Sequence, residues 1–331
     1  MARIVLGLGT SHSPMLSTPP ELWPLHVERD RQNPALLAGD GTFHTYDELL
    51  ACADPRIAAE ELTPAQWQAR HETSQAAIVH LAQVLAETAP DALVVVGDDQ
   101  QERFHDDNMP AISVYWGDRI TSTPFSAEHF ATMHASLRAA YGGYYGDEPA
   151  EYPCHAALGR HIIEQLVAAD FDVAHSREQP PGVNIGHAVA FVQRRIMNGR
   201  AIPLVPVSLN TYYPPNQPRA TRCYALGRAL RRAIEVWPGD EQVAIVASGG
   251  LSHFVVLEEF DHAVLAALAA RDEAAIARIP ERLFQTGTSE TKNWITAGGA
   301  LEHLQMELVA YVPNYRSPAG TGIGLAFAQW R

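Results

Sequence analysis

The sequence predicts an α/β fold: a mainly parallel central sheet flanked by helices on both faces, with a long loop and helical insertion near the N-terminus. Three observations predict it. Short apolar runs of strand length alternate with helix-like stretches, the order that builds parallel sheets through helical crossovers. Four of those runs end in polar, chemically equipped turns. Helix starts and stops fall between them, which keeps the alternation regular.

Taken in order, the first run is Arg3–Leu8, leading into Thr10-Ser11-His12-Ser13-Pro14. Residues 15–60 carry Pro19, Pro20, Pro24, Pro34 and Pro55 with little periodicity, and a long irregular stretch in a compact domain is usually a lid or binding loop. Thr63 as N-cap and Pro64 as first helical residue open a helix that runs to about Ala86, ahead of Pro90. The second run, Ala92–Val96, leads into Gly97-Asp98-Asp99-Gln100. Residues 101–153 are loop-rich, and Gly142-Gly143-Tyr144-Tyr145-Gly146 reads as a flexible, aromatic-bearing turn. A helix is expected over His155–Ala168, then a third run, Ile202–Leu209, into Asn210-Thr211-Tyr212-Tyr213-Pro214-Pro215. Cys223–Val236 reads as helix, Gln242–Ala247 as the fourth run, ending in Ser248-Gly249-Gly250-Leu251-Ser252-His253, and Phe260–Ala270 as helix. Ligands of open α/β sheets bind outside the carboxyl ends of the strands, so the four turns are expected to form one site. A single domain over 1–331 is expected, with residues 15–85 as a lid-like insertion.

Composition narrows the function. A chain of 331 residues, 47% hydrophobic and 19% charged, has enough apolar material for a substantial core. Its net charge of −14 excludes nucleic acid and an anionic membrane surface as expected partners, since both call for a basic face. Small molecules are the expected partners. The three cysteines, Cys52, Cys154 and Cys223, show no CxxC spacing, which argues for reduced thiols. No run approaches the roughly 20 apolar residues needed to span a bilayer, and a cytoplasmic protein is expected. A homodimer is the default assembly.

Placement, more than number, singles out a few of the 15 histidines. His12 sits between two serines at the end of a strand, where a neutral imidazole can face a cleft. His253 follows a Gly-Gly turn, which lets backbone pass close to a ligand. His187 follows Gly186, and Glu290 lies in Gly287-Thr288-Ser289-Glu290-Thr291-Lys292-Asn293-Trp294, where a carboxylate also suits a helix N-terminus.

In combination, the chain resembles the class III extradiol ring-cleavage dioxygenases, the family of the protocatechuate 4,5-dioxygenase catalytic subunit. The resemblance rests on Gly9-Thr10-Ser11-His12-Ser13-Pro14, Asn184-Ile185-Gly186-His187, Thr211 to Pro215 through Arg222 to Gly227, Ser248 to His253, and Glu290 four residues before Trp294. It implies a single iron(II) held by two histidines and a carboxylate, with open positions for substrate and dioxygen. His12 would be one ligand and Glu290 the carboxylate. His253 matches the family's acid/base histidine, suited by an ordinary pKa of about 6.5, and His187 a second active-site histidine that orients substrate or oxygen. The implied reaction opens a catechol-type or gallate-like ring next to, not between, its adjacent hydroxyls.

Two departures accompany the match. Where the family has its second histidine ligand, this chain reads Gly97-Asp98-Asp99-Gln100, with Gln100 at the ligand position. The third ligand is therefore expected from Gln100 or Asp99, with His44 and His105 as further sources of nitrogen. The second departure is the 15–85 insertion, with Trp23, Phe43, Tyr46 and Trp67, which would serve as a cover over the site or as an oligomer interface. Arg103, Arg222 and Lys292 are candidates to pair with a substrate carboxylate, and Tyr212 and Trp116 to stack on its ring. The alternative function is a protein of the same fold with a divergent site: a hydrolase using another divalent metal, or a non-catalytic binding protein.

Overall fold

A computed structural model describes all 331 residues. Nine strands form the main sheet: β1 (Arg3–Thr10), β2 (Ala92–Asp98), β3 (Ile112–Tyr115), β4 (Ala174–Ser176), β5 (Leu204–Leu209), β6 (Gln242–Ser248), β7 (His253–Val255), β8 (Met306–Tyr315) and β9 (Thr321–Trp330). Their order is β7-β9-β1-β6-β2-β5-β3-β4, with β8 paired to β9 beside that path. The central pairs β1 with β6, β6 with β2 and β2 with β5 are parallel, whereas β9 runs antiparallel to β1, β7 and β8. The expected mainly parallel sheet is present, extended on one side by an antiparallel meander.

The four apolar runs are central because both of their faces are buried, as parallel strands require. Along β2, Ala92, Val94 and Val96 enter a core of 43 buried residues on one face, while Leu93 and Val95 enter a core of 30 on the other. In β6, Val243, Ile245 and Ala247 alternate with Ala244 and Val246 in the same way. The larger core is closed by α3 (Ala156–Ala168), α5 (Ala220–Glu235), α6 (Glu258–Ala270) and α7 (Thr291–Ala300). The other face is closed by α2 (Pro64–Thr88), by α4 (His187–Phe191) with the π-helical turn that continues it, and by part of β8. Thr63 caps α2 by accepting from Gln66 N, as its sequence predicts.

Two expectations need correction. The stretch 15–85 is not one peripheral insertion: Ala77, Ile78, Leu81, Val84 and Leu85 of α2 belong to the core. The part that stands outside the sheet is 14–63, which carries α1 (Pro24–Gln32) and the short pairing of Leu36–Leu37 with Phe43–His44. Likewise Tyr144 and Tyr145 are buried and stacked among Phe125, Tyr141 and Phe191. Aromatic packing holds the segment that the glycines suggested was a flexible turn. No helix is long and apolar enough to cross a membrane.

A buried ion pair fixes α1 to the sheet. Arg316, in the turn between β8 and β9, donates to both oxygens of Asp30 at 2.7 and 2.6 Å, and Thr321 Oγ1 donates to Asp30 Oδ2 at 2.6 Å. Both ions are nearly inaccessible, so losing one partner leaves the other charge buried and unpaired. Arg316→Met should lower unfolding free energy in urea by about 3 kcal/mol, and Asp30→Leu combined with it should restore most of the loss. Equal stability of the single and double variants would contradict this role.

Candidate metal centre and active site

Strand ends and two helix starts deliver the functional side chains. His12 follows β1, Asp98 ends β2 with Gln100 two residues on, Ser248 ends β6, and His253 opens β7. Glu290 comes from the 3-10 turn entering α7, and His187 is the first residue of α4. These groups meet at one point: ligand atoms of His12, Asp98, His187 and Glu290 all lie within 4.8 Å of one another. His12 Nε2 is 3.1 Å from Glu290 Oε2 and 4.0 Å from Asp98 Oδ1, and His187 Nε2 is 3.9 Å from Asp98 Oδ2.

The chain fixes which nitrogen of His12 is free. Ser248 Oγ spends its one proton on Ala188 O at 2.8 Å, so it accepts the proton of His12 Nδ1 at 3.0 Å. His12 Nε2 is left facing the carboxylates. His253 Nδ1 donates to Leu251 O at 2.9 Å, leaving Nε2 to exchange protons 3.4 Å from Glu290 Oε2. Glu290 Oε2 also accepts from Gly250 N at 2.9 Å. The glycine signal before His253 is therefore explained by protein contacts, since a methyl at Gly250 would collide with the His253 ring.

The carboxylates set the electrostatics. Asp98 is pushed up, first by burial and then by the charge of Glu290. Burial pushes Glu290 the same way, but His253 and His12 outweigh it and hold it well below its usual range. Burial opposes charge on His187 and His253, yet both are raised: His187 to about 10 by Glu102, and His253 chiefly by Glu290. Two carboxylates and two imidazoles in a buried pocket suit a divalent cation of intermediate hardness. An ion with bonds of about 2.1 Å spaces adjacent donors about 3.0 Å apart and opposite donors about 4.2 Å apart. His12 Nε2 and Glu290 Oε2, 3.1 Å apart, stand at the adjacent-donor spacing, and all four groups lie within 4.8 Å of one another, so the residues fit a bound metal ion.

The cluster opens into a cavity of about 500 Å³. His12, His187, His253, Glu290 and Gln100 lie on its floor, Phe125, Tyr141, Tyr144, Tyr145 and Tyr212 supply aromatic lining, and His26, Arg29, Asp30 and Asn33 of the 14–63 segment also line it. His12, Gln100, His187, His253 and Glu290 are thus gathered as their sequence positions suggested. Gln100 Nε2 donates to Glu290 Oε1 at 2.9 Å and approaches Asp98 Oδ2 at 3.4 Å. Asp99 instead closes its own loop, accepting from Arg103 N and Phe104 N. His44 pairs with Thr42 and Asp40 in its small hairpin, and His105 is exposed; neither reaches the cluster.

Other expectations also fail at the cavity. Arg103, Arg222 and Lys292 do not line it: Arg103 packs over Tyr115, Arg222 over Phe171, and buried Lys292 pairs with Glu281 at 2.9 Å. Trp116 packs with His175 away from the cavity, whereas Tyr212 does line it. Sequence reasoning missed Asp98 and Glu102 as site groups and Arg29 as the cavity's unpaired cation. Adjacent acidic residues at a strand end were the available signal for Asp98; Arg29 had none within its irregular segment.

Residues 54–326 match the family described as the catalytic LigB subunit of aromatic ring-opening dioxygenase. The chain belongs to this family. Among curated relatives, a gallate dioxygenase of Pseudomonas putida is 40% identical over 116 residues, 33% of each chain. A 2,3-dihydroxyphenylpropionate/2,3-dihydroxicinnamic acid 1,2-dioxygenase of Comamonas testosteroni is 28% identical over 169 residues, 50% of this chain and 44% of that one. Its namesake from Rhodococcus jostii is 25% identical over 177 residues, 53% and 48% respectively. The chain spans about a third to a half of the length of the curated relatives it matches. The LigB match begins after α1, so the α1 side of the cavity lies outside it.

Asp261 holds the turn that carries His253, accepting from Ser252 N and Oγ at 2.8 and 2.7 Å and from Tyr311 OH at 2.8 Å. Burial raises it from 3.8 to about 6 despite those bonds. The folded protein then keeps a proton that the unfolded chain releases, so this contribution is full below about pH 4 and is lost as pH rises through about 6. Relative to Asp261→Asn, the wild type should lose about 3 kcal/mol of unfolding free energy between pH 4 and pH 7. A difference independent of pH would refute the shift.

Proposed function

We propose that this protein is a non-heme iron(II)-dependent extradiol dioxygenase, opening a catechol- or gallate-type ring beside its adjacent hydroxyls. The observation that carries the reading is the convergence of His12, Asp98, His187 and Glu290 under a cavity that His253 also lines. His12 and Glu290 would hold the ion. Bound there, iron(II) supplies a centre at which a chelating diol and dioxygen are brought together.

The chain's own groups account for the rest. His253 Nε2 takes the proton of a substrate hydroxyl and later returns it, because its Nδ1 proton is committed to Leu251 O. The tyrosine lining gives a flat ring an apolar seat and excludes water. Arg29 is the cation on the cavity wall with no hydrogen-bonded or ion-paired partner, since Arg316 beside it is occupied by Asp30. That favours a substrate bearing a carboxylate, which an acidic protein would otherwise repel. The 14–63 segment would then act as a wall of the pocket supplied by the same chain. The alternative of a hydrolase or a binding protein rests on Gln100 alone and leaves His253 without a role.

The test is oxygen uptake by anaerobically prepared protein after iron(II) addition, over a panel of catechols and gallates with and without a carboxylate. Uptake should depend on substrate and on iron, and an inert panel would overturn the reading. His253→Ala should retain iron while turnover falls by about 100-fold or more. Arg29→Met should raise KM for carboxylate-bearing substrates by about tenfold and leave neutral catechols unchanged.

A further inference from the structure

We propose that His187, oriented by Glu102, supplies the second imidazole of the metal site in place of a side chain at position 100. The assignment rests on the metal-dependent reading above and specifies its ligands.

Three observations carry it. First, His187 Nε2 lies 3.1 Å from His12 Nε2. The Nδ1 proton of His12 is committed to Ser248, and His187 Nδ1 is bound to Glu102 Oε2 at 2.6 Å. With both Nδ1 atoms held by the protein, the two Nε2 atoms face each other across the cluster, where a cation can take both lone pairs once it displaces the proton between them. Their separation is that of adjacent donors on one ion with bonds of about 2.1 Å.

Second, Glu102 grips residue 187 at two places. Besides the ring nitrogen, both carboxylate oxygens accept from His187 N at 3.0 Å. A carboxylate behind the distal nitrogen fixes the tautomer and ring angle of a metal-binding histidine. Gly186 just before it has φ +85°, the left-handed region open to glycine, and so turns the chain into α4 at this point. The two rings meet edge to face, with centroids 4.5 Å apart.

Third, position 100 already has another use. The amide N–H of Gln100 is spent on Glu290 and Asp98, and a donor facing two carboxylates steadies them without offering a lone pair. The ligand set then has two imidazoles and two carboxylates from four separate segments, and their charges balance a divalent ion inside a buried pocket.

Anaerobic titration with Co(II), read from its visible absorption and by equilibrium dialysis, tests this directly. His187→Ala should weaken Co(II) binding by about tenfold or more and change the ligand-field bands; Glu102→Ala should weaken it by about tenfold. Gln100→Ala, which removes a hydrogen bond to Glu290 and no ligand atom, should weaken binding by about tenfold while leaving the ligand-field bands unchanged. Adding Gln100→His to His187→Ala should restore much of the affinity, because it returns an imidazole to the same ion. His187→Gln, which keeps polarity and bulk, is the second variant where the alanine protein fails to fold. Wild-type affinity and spectrum in both His187 variants would overturn the proposal, as would ligand-field bands that change in Gln100→Ala and not in His187→Ala. Failure of the dioxygenase reading is separately visible: Co(II) bound through His187 with no oxygen uptake by the iron-loaded protein would keep this assignment and discard that activity.

Discussion

Two buried carboxylates, Asp98 and Glu290, placed together at the carboxyl end of a parallel sheet, are the constraint on which the site depends. Their charges repel and neither is solvated, so the pair is sustained only where positive or proton-donating groups close around it. His12, His253, Gln100, Asn293 and the Gly250 amide do so at 2.9 to 3.4 Å. They arrive from the ends of β1 and β2, from the turn joining β6 to β7 and from α7, and the strand order β9-β1-β6-β2 makes their meeting possible. Fold and chemistry are coupled here because moving any of these strands would leave an uncompensated carboxylate in the core.

Much of this arrangement is legible in the sequence, and the reason is local. The four apolar runs buried on both faces carry a strong signal, and their ends mark where His12, Gln100, Ser248 and His253 emerge. Thr63-Pro64 marks the start of α2 correctly, because capping is a matter of neighbouring residues. What is not legible is set by partners distant in sequence. Glu102 reads as a solvated loop acid until the fold brings it 2.6 Å from His187, 85 positions away. Asp98 reads as part of a turn, and its burial opposite Glu290 is settled only by tertiary packing. Arg103, Arg222 and Lys292 stand out in the sequence by charge alone, and each finds an aromatic or acidic neighbour off the cavity.

The segment before the family match is tied firmly to the matched part. Its aromatic and proline content gives no period, yet Trp23 is buried and donates to Thr18 O, and Asp30 is locked to Arg316. His26, held near neutrality with a pKa of about 2 by burial and by Arg316 and Arg29, packs on the same side. These fixed contacts make α1 a wall of the cavity in this conformation and present Arg29 to it. In the proposed enzyme, the metal floor comes from the main sheet, while discrimination among substrates comes from a segment outside the family match.

The measurement that tests the account most directly is X-ray absorption at the iron edge of anaerobically reconstituted protein. The account predicts one iron per chain, with nitrogen and oxygen donors at about 2.1 Å and outer-shell scattering from two imidazole rings. Iron that fails to bind at the stated site, or that binds with scattering from one imidazole or none, would contradict it.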